Sequence, residues 1–203
     1  MYFILYPLNY LRLRNERGAL ILWRDVIPVS VITLAVVLFF ELVPGANFYG
    51  KDGFVERTGG VTSTLTGFYI AGLLAVATFT VTQTALDQPI KVGPVFLGKG
   101  DARESLSRRE YVCIMFGYLS ALSLGYSLFS ALAGASAGAI ANVVGDSSVI
   151  IGRIIVTPHG VIGCGGEIAV VVLVSHIALT TGYGLYYLTK KIYEREPTLG
   201  KKR

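Results

Sequence analysis

Three ionisable side chains lie within or at the ends of long apolar runs, where a charge is costly. A charged side chain at the centre of a bilayer costs about 2.5 to 3.5 kcal/mol on insertion scales. The three residues are Glu41, Glu167 and His176. Glu41 comes shortly before Pro44 and can reach the aqueous boundary, whereas Glu167 lies near the start of its run, where a helix N-terminus stabilises a carboxylate. Both glutamates therefore have a sufficient structural explanation.

His176 lies deeper, about ten residues inside its apolar run, near the middle of a bilayer. Two interpretations are open. The imidazole is either neutral and hydrogen-bonded to a threonine or tyrosine on a facing helix, or it is a site for a proton or an ion. Glu167 and His176 are separated by about 14 Å along a helix, so they cannot bind the same metal ion.

Motifs of the common enzyme classes are absent from the sequence. It contains no GxSxG, no P-loop, no HExxH and no CxxC. The apolar runs also lack the paired aspartates that an intramembrane protease would use. We therefore predict that the protein is not an enzyme and that it binds no cofactor or metal.

The composition places these residues in a membrane protein. The chain is 53% hydrophobic and only 15% charged, with a mean hydropathy of +0.59, whereas soluble domains have about 25% charged residues. Four apolar runs are long enough to cross a bilayer. They cover residues 26–43, 63–86, 111–133 and 166–188. We predict an all-α integral membrane protein whose residues 26–188 form a four-transmembrane-helix bundle.

The basic residues predict the orientation of this bundle. Four crossings place both termini and the central loop on one side of the membrane, and that side has 15 of the 18 lysines and arginines. Because basic residues are retained in the cytoplasm, both termini are predicted to be cytoplasmic, with residues 189–203 as a basic tail. Topology and attraction to anionic lipid account for the net charge of +5, so we predict no direct nucleic-acid partner.

Residues 1–25 are predicted to form an interfacial segment on the cytoplasmic face. Aromatic and leucine side chains come first, and arginines that can reach lipid phosphates begin only at Arg12, an order that does not fit a cleavable signal peptide. A frayed amphipathic tail is the alternative. Trp23, Arg24 and Asp25 mark the water boundary before the first span.

Two loops between the spans carry the remaining signals. The loop 145–165 has β-branched runs and forms either a hairpin or a re-entrant flap. The central loop carries mixed charge that provides the best docking site for a soluble partner, although a solvated connector would look the same. The docking candidates are Arg103, Glu104, Arg108 and Arg109.

Small residues gather where the third span ends. Gly134 and Gly138 form a GxxxG motif, and Ala137 and Ala141 extend it. Small side chains allow helix backbones to approach closely in lipid, so this stretch predicts either packing within the chain or an interface of a homo-oligomer.

The second span is rich in threonine, which suits either a hydrated pore or hydroxyls bonded back to their own helix. Thr78 and Thr82 lie one turn apart, as do Thr80 and Thr84. Because these threonines cover two faces of the helix, they do not form a single polar lane, and back-bonding is the commoner situation.

The chain resembles the small four-span membrane subunits of bacterial anti-phage operons, of the KwaA type found in the Kiwa system. The resemblance rests on size, four spans with both ends inside, the lead-in LNYLRLRNERGALILWRD at residues 8–25, and the basic loop with ARESLSRRE at residues 102–110. It implies a non-enzymatic component of the bacterial inner membrane that oligomerises, senses infection and recruits a cytosolic DNA-binding effector.

Two functions follow from these observations. The first is a sensor or scaffold that oligomerises and recruits a cytosolic protein partner. The alternative is a pore-forming channel or holin-like permeabiliser, which the threonine-rich second span and His176 would suit.

Overall fold

Four long helices make up most of the protein. The computed structural model describes residues 6–16, 18–49, 52–78, 90, 94–98, 104–144, 149–151, 154–156 and 158–191. The long helices are α1 (Leu22–Leu42), α2 (Phe54–Thr78), α3 (Arg108–Val144) and α4 (Pro158–Tyr186). Each is long and apolar enough to cross a membrane, which confirms the prediction of a mostly helical, multi-pass membrane protein.

Shorter elements lie at the helix ends. A 3-10 helix covers Tyr6–Arg12, and α4 is followed by a π-helical turn, Tyr187–Lys191. Strands β1 (Phe96–Leu97) and β2 (Glu104–Ser105) pair antiparallel, as do β3 (Val149–Ile151) and β4 (Ile154–Val156). The loop 145–165 therefore contains a hairpin, one of its two predicted forms.

All four helices begin earlier than the apolar runs indicate, and the difference is largest for α2 and α4. Helix α2 begins at Phe54 instead of residue 63, and α4 begins at Pro158 instead of residue 166. The first turn of α2 carries Glu56 and Arg57 as exposed side chains, so it can extend past the apolar region into the polar boundary. Proline suits the first position of α4, where a missing N–H costs least. Residues 79–86 of the predicted second span lie outside the described residues.

Helix α3 continues past residue 133, where the predicted third span ends, to Val144. At about 1.5 Å per residue it is about 55 Å long, well beyond a hydrocarbon thickness of about 30 Å. Part of α3 must therefore tilt or project out of the bilayer.

Hydroxyl groups hold α2 against α3. Thr58 Oγ1 and Tyr126 Oη are 2.6 Å apart, and Thr62 Oγ1 and Ser127 Oγ are 2.9 Å apart. Ser130 Oγ donates a hydrogen bond of 2.8 Å to the Val55 carbonyl. Interhelical hydrogen bonds of this kind are a main source of helix association in lipid, where apolar contact alone adds little drive.

Gly59 allows this close approach. A Cβ atom at position 59 would collide with the Ser130 side chain of α3. No such contact is made at Gly60, where a Cβ atom would meet no heavy atom within 4 Å. The glycine at 59 therefore sets the distance between the two helices.

Helix α3 also lies at the centre of the core, whereas α1 lies at its edge. Val112, Met115 and Leu119 of α3 are fully buried. On α1, by contrast, Ile27 and Leu42 are each 74% exposed. Exposed apolar side chains of this kind are typical of a helix that is long and apolar enough to cross a membrane, as α1 is.

A small folded layer, here called the end cap, covers the end of the bundle at which α1 and α3 begin and α4 ends. It consists of residues 6–16, 94–98 and 104–106. Arg14 and Phe96 exchange backbone hydrogen bonds of 3.0 and 2.9 Å, and Leu106 N donates to the Val95 carbonyl. Leu13 is fully buried, so the described part of the N-terminal segment is packed and is not a frayed tail.

Candidate functional site

A carboxylate is buried beneath the end cap. Asp25, in the first turn of α1, is 1% exposed, and its Oδ1 atom accepts a hydrogen bond of 3.0 Å from Arg24 Nε. Its Oδ2 atom has no hydrogen-bond partner among the described residues. Asp25 is covered by protein because the chain folds back there: Ile21 N donates to the Leu13 carbonyl at 3.0 Å, which brings the end cap over the start of α1.

Arg24 connects this carboxylate to α4. The guanidinium carbon of Arg24 lies 4.3 Å from the centre of the Tyr183 ring, within the range of a cation–π interaction. The Arg24 side chain is 55% exposed, so one side of the pair faces outward while Asp25 remains enclosed.

An aromatic pair and a histidine lie next to Asp25 in the same end of the bundle. Tyr10 of the end cap stacks on Tyr118 of α3, with ring centres 4.7 Å apart. The Tyr118 hydroxyl lies 3.0 Å from Nε2 of His176 on α4. This confirms the prediction that His176 is hydrogen-bonded to a threonine or tyrosine on a facing helix.

Several buried hydroxyls in this region have no hydrogen-bond partner among the described residues. They include Tyr10 Oη, Thr180 Oγ1 and Tyr187 Oη. Burial, and then the charges of the neighbouring Tyr111 and Asp25, raise the pKa of Tyr10, so its hydroxyl stays protonated at neutral pH and can donate. Buried polar atoms without a protein partner are usually satisfied by water or a ligand.

A groove runs between α1 and α4 beside this cluster. Its volume is about 830 Å³. The polar residues of its wall come from the start of α1, the start of α3, the end of α4 and the turn that follows α4. They are Arg24, Tyr111, Tyr183, Tyr186 and Tyr187. Apolar positions such as Ile32 and Ala178 line the remainder.

The three predicted intramembrane residues do not form one site. Glu41 is exposed at the end of α1, and Glu167 is partly buried in α4, close enough that the two carboxylates repel each other. His176 lies nine residues beyond Glu167 along α4, towards the end cap. The two glutamates therefore mark the end of the bundle opposite Asp25.

The predicted docking residues are distributed over the start of α3. Arg108 and Arg109 lie in its first turn, and Arg109 Nη1 donates a hydrogen bond of 3.0 Å to the Val76 carbonyl of α2. Glu104 lies in β2, although its side chain is not among those described, and Arg103 lies outside the described residues. Arg109 thus has a role in joining two helices, which the charge pattern did not indicate.

The predicted small-residue interface is open where the structure describes it. Gly134 is exposed, and a Cβ atom added there would meet nothing within 4 Å. Ala137, Gly138 and Ala141 belong to α3, but their side chains lie outside the description. Gly134 is therefore not used for packing within the chain.

The described threonines of α2 behave as back-bonded residues. Thr62, Thr66 and Thr78 each donate from Oγ1 to the carbonyl four residues earlier, at 2.8 to 3.0 Å. Thr80, Thr82 and Thr84 lie outside the described residues. The threonines seen here are consistent with the back-bonding interpretation.

Sequence reasoning missed the residues that are most deeply buried here. Asp25 comes directly before an apolar run, as boundary residues usually do, and Tyr118 is one of many tyrosines. Only the fold of the end cap brings them together.

Among the described residues, no group of three or more His, Cys, Asp or Glu side chains lies close enough to bind a metal. No protein-family model, curated protein or solved structure matches the chain.

Proposed function

We propose that this protein is a non-enzymatic scaffold or sensor subunit of a bacterial inner membrane, which self-associates and recruits a cytosolic protein. In this proposal its place is in anti-phage defence, as the resemblance to four-span subunits of such operons implies. Both termini are cytoplasmic, so the end cap faces the cytosol.

The observation that carries the proposal is the end cap itself. Three separate segments, residues 6–16, 94–98 and 104–106, fold together at one end of the bundle through backbone hydrogen bonds between Arg14 and Phe96 and between Leu106 and Val95. A loop that only connected two spans would not need backbone hydrogen bonds to distant segments of the chain. This folded layer, next to the arginines at the start of α3, provides a defined surface that a soluble protein can bind.

Self-association is supported by the open face of α3. Gly134 is exposed and unused within the chain, and α3 is longer than a bilayer requires. A second copy packing on this face would gain the close backbone approach that small residues allow.

The pore alternative has less support. The threonines that motivated it bond to their own helix at the described positions Thr62, Thr66 and Thr78, and His176 is bonded to Tyr118. Ion flux through liposomes that contain the purified protein would show a pore directly.

The test of the proposal is charge reversal at two of the predicted docking residues, one in the central loop and one in the first turn of α3. We expect Arg103→Glu together with Arg108→Glu to remove a cytosolic protein that co-purifies with the tagged wild-type chain. Arg109 is left unchanged because it bonds to the Val76 carbonyl. The matched control is Arg57→Glu, an exposed arginine at the opposite end of the bundle. The proposal is wrong if the same proteins co-purify with all three chains.

A further inference from the structure

We propose that the groove between α1 and α4 is a binding site for one anionic phospholipid. Its phosphate would lie at Arg24 and an acyl chain would lie between the two helices. This inference does not depend on the proposed scaffold function, because it rests only on the walls of the groove and on the membrane setting of the two helices.

The groove has the polarity of an amphiphile. Arg24 and Tyr187 form its polar end, where α1 begins and α4 ends. Ile32, Ala178 and Gly182 line it further into the bundle. From Arg24 to Ile32 the helix rises about 12 Å, which approaches half of a hydrocarbon thickness of about 30 Å. The polar end therefore lies at headgroup depth and the apolar part at acyl-chain depth.

The groove opens onto the lipid-facing surface. Ile32 is 38% exposed, and Ala178 and Gly182 are also exposed although they line the groove. Since α1 and α4 both cross the membrane, the molecules that meet this opening are lipids. An acyl chain in the groove would remove its apolar walls from water, which is favourable, whereas water in the groove would leave these walls hydrated.

Arg24 is placed to bind a phosphate. Asp25 accepts from its Nε atom, and Tyr183 lies against the face of its guanidinium group, so the orientation is fixed while over half of the side chain remains exposed. Arginine binds phosphate through charge-assisted hydrogen bonds from its terminal nitrogens. The Tyr187 hydroxyl, which is buried in the wall of the groove without a partner among the described residues, can supply another donor.

The local charge also favours an anion in spite of Asp25. Helix α1 begins at Leu22 without a side-chain cap, so its first N–H groups and the positive end of its dipole lie beside Arg24. The charge of Arg24 and the partial charge of the helix end together exceed the single negative charge of Asp25, which favours an anionic lipid over a zwitterionic one.

The test is native mass spectrometry of the full chain in detergent, titrated with dioleoyl phosphatidylglycerol or dioleoyl phosphatidylcholine. We expect one phosphatidylglycerol per chain, bound about tenfold more tightly than phosphatidylcholine, because both lipids offer a phosphate to Arg24 but the choline group adds a positive charge that this end of the groove disfavours. Gly182→Leu should abolish this adduct by filling the groove. Gly67→Leu is the matched control, since Gly67 of α2 is also exposed with nothing within 4 Å of an added Cβ.

A second variant separates the headgroup from the groove. Arg24→Gln combined with Asp25→Asn removes both charges together, so no lone charge is left buried. We expect this chain to lose most of its preference for phosphatidylglycerol, because the exposed guanidinium that faces the groove is gone, whereas the Asp25 carboxylate removed with it was enclosed. Three outcomes would overturn the proposal: equal binding of the two lipids by the wild type, an adduct that survives in Gly182→Leu, or displacement of the lipid by inorganic phosphate alone. If Gly182→Leu does not fold, the double variant decides by itself.

Discussion

The hydroxyl of Tyr118 lies 3.0 Å from Nε2 of His176, and the ring of the same tyrosine stacks on the ring of Tyr10. One residue of α3 thus joins the end cap to α4. The contact explains how a histidine is accommodated deep within an apolar helix, since a buried polar group is tolerated when it is hydrogen-bonded.

Replacing Tyr118 by phenylalanine should destabilise the protein by about 1 to 3 kcal/mol, the cost of leaving a buried polar atom without a partner. The ring and its stacking on Tyr10 are retained, so the hydroxyl alone is tested. Thermal unfolding of the detergent-purified chain measures the change. In His176→Leu the same tyrosine substitution should cost clearly less, because the partner is already gone. An equal cost in both backgrounds would rule out the hydrogen bond as the cause.

Gly59→Ala should destabilise the packing of α2 on α3 by about 1 to 3 kcal/mol, as overpacking of a tight contact does. The added methyl group would collide with Ser130. Gly60→Ala is the matched control, because the methyl group there meets open space and alanine favours a helix by about 1 kcal/mol over glycine. Unfolding temperatures of the two variants should therefore move in opposite directions. Equal shifts would show that position 59 is not a close contact.

Arg24→Gln should cost about 2 kcal/mol, because it leaves the enclosed carboxylate of Asp25 without its cation. The cost is below that of a fully buried pair, since Arg24 is half-exposed. Arg57→Gln removes an ion pair with Asp52 in which both side chains are 73% exposed, and it should change stability by less than about 1 kcal/mol. Restoration of stability when Asp25→Asn is added to Arg24→Gln would identify the lone charge as the cause. A loss that persists in the double variant would contradict this explanation.

Gly134→Leu should reduce the native mass of the detergent particle to that of one chain without lowering its unfolding temperature, because the new side chain meets nothing within the chain. Gly125→Leu is the control on the same helix. It also points into open space, and at nine residues away it lies about 180° around α3. Its particle should keep the wild-type mass. If both variants or neither of them change the mass, this face of α3 is not the interface.

The number and type of the long helices could be predicted because each needs only a local apolar run of sufficient length. Their ends could not, since α2 continues through Glu56 and Arg57 once these side chains reach the polar boundary. Hydropathy detects only the part of a helix that lies in hydrocarbon. The residues at which the helix begins and ends are determined by its backbone hydrogen bonds, which can continue beyond the apolar run.

The candidate site was less accessible to sequence reasoning. A hydrogen bond from His176 to a tyrosine or threonine was one of two interpretations that its depth in an apolar helix left open, and the choice of Tyr118 depends on how α3 packs on α4. Asp25 was missed for a related reason. Its burial is produced by residues 6–16 and 94–98, which come from distant parts of the chain and meet only in the folded end cap. A sequence pattern within one segment does not reveal contacts between segments that are distant in the chain.

The central claim is that the chain crosses the membrane four times and leaves both ends on the cytoplasmic side. Accessibility of single cysteines to a membrane-impermeant maleimide in intact cells measures this most directly, in a background with Cys113 and Cys164 replaced by serine. We predict that Lys51→Cys is labelled from outside, whereas Asn15→Cys and Lys201→Cys are labelled only after the cells are opened. Labelling of either of the last two positions in intact cells would contradict this topology.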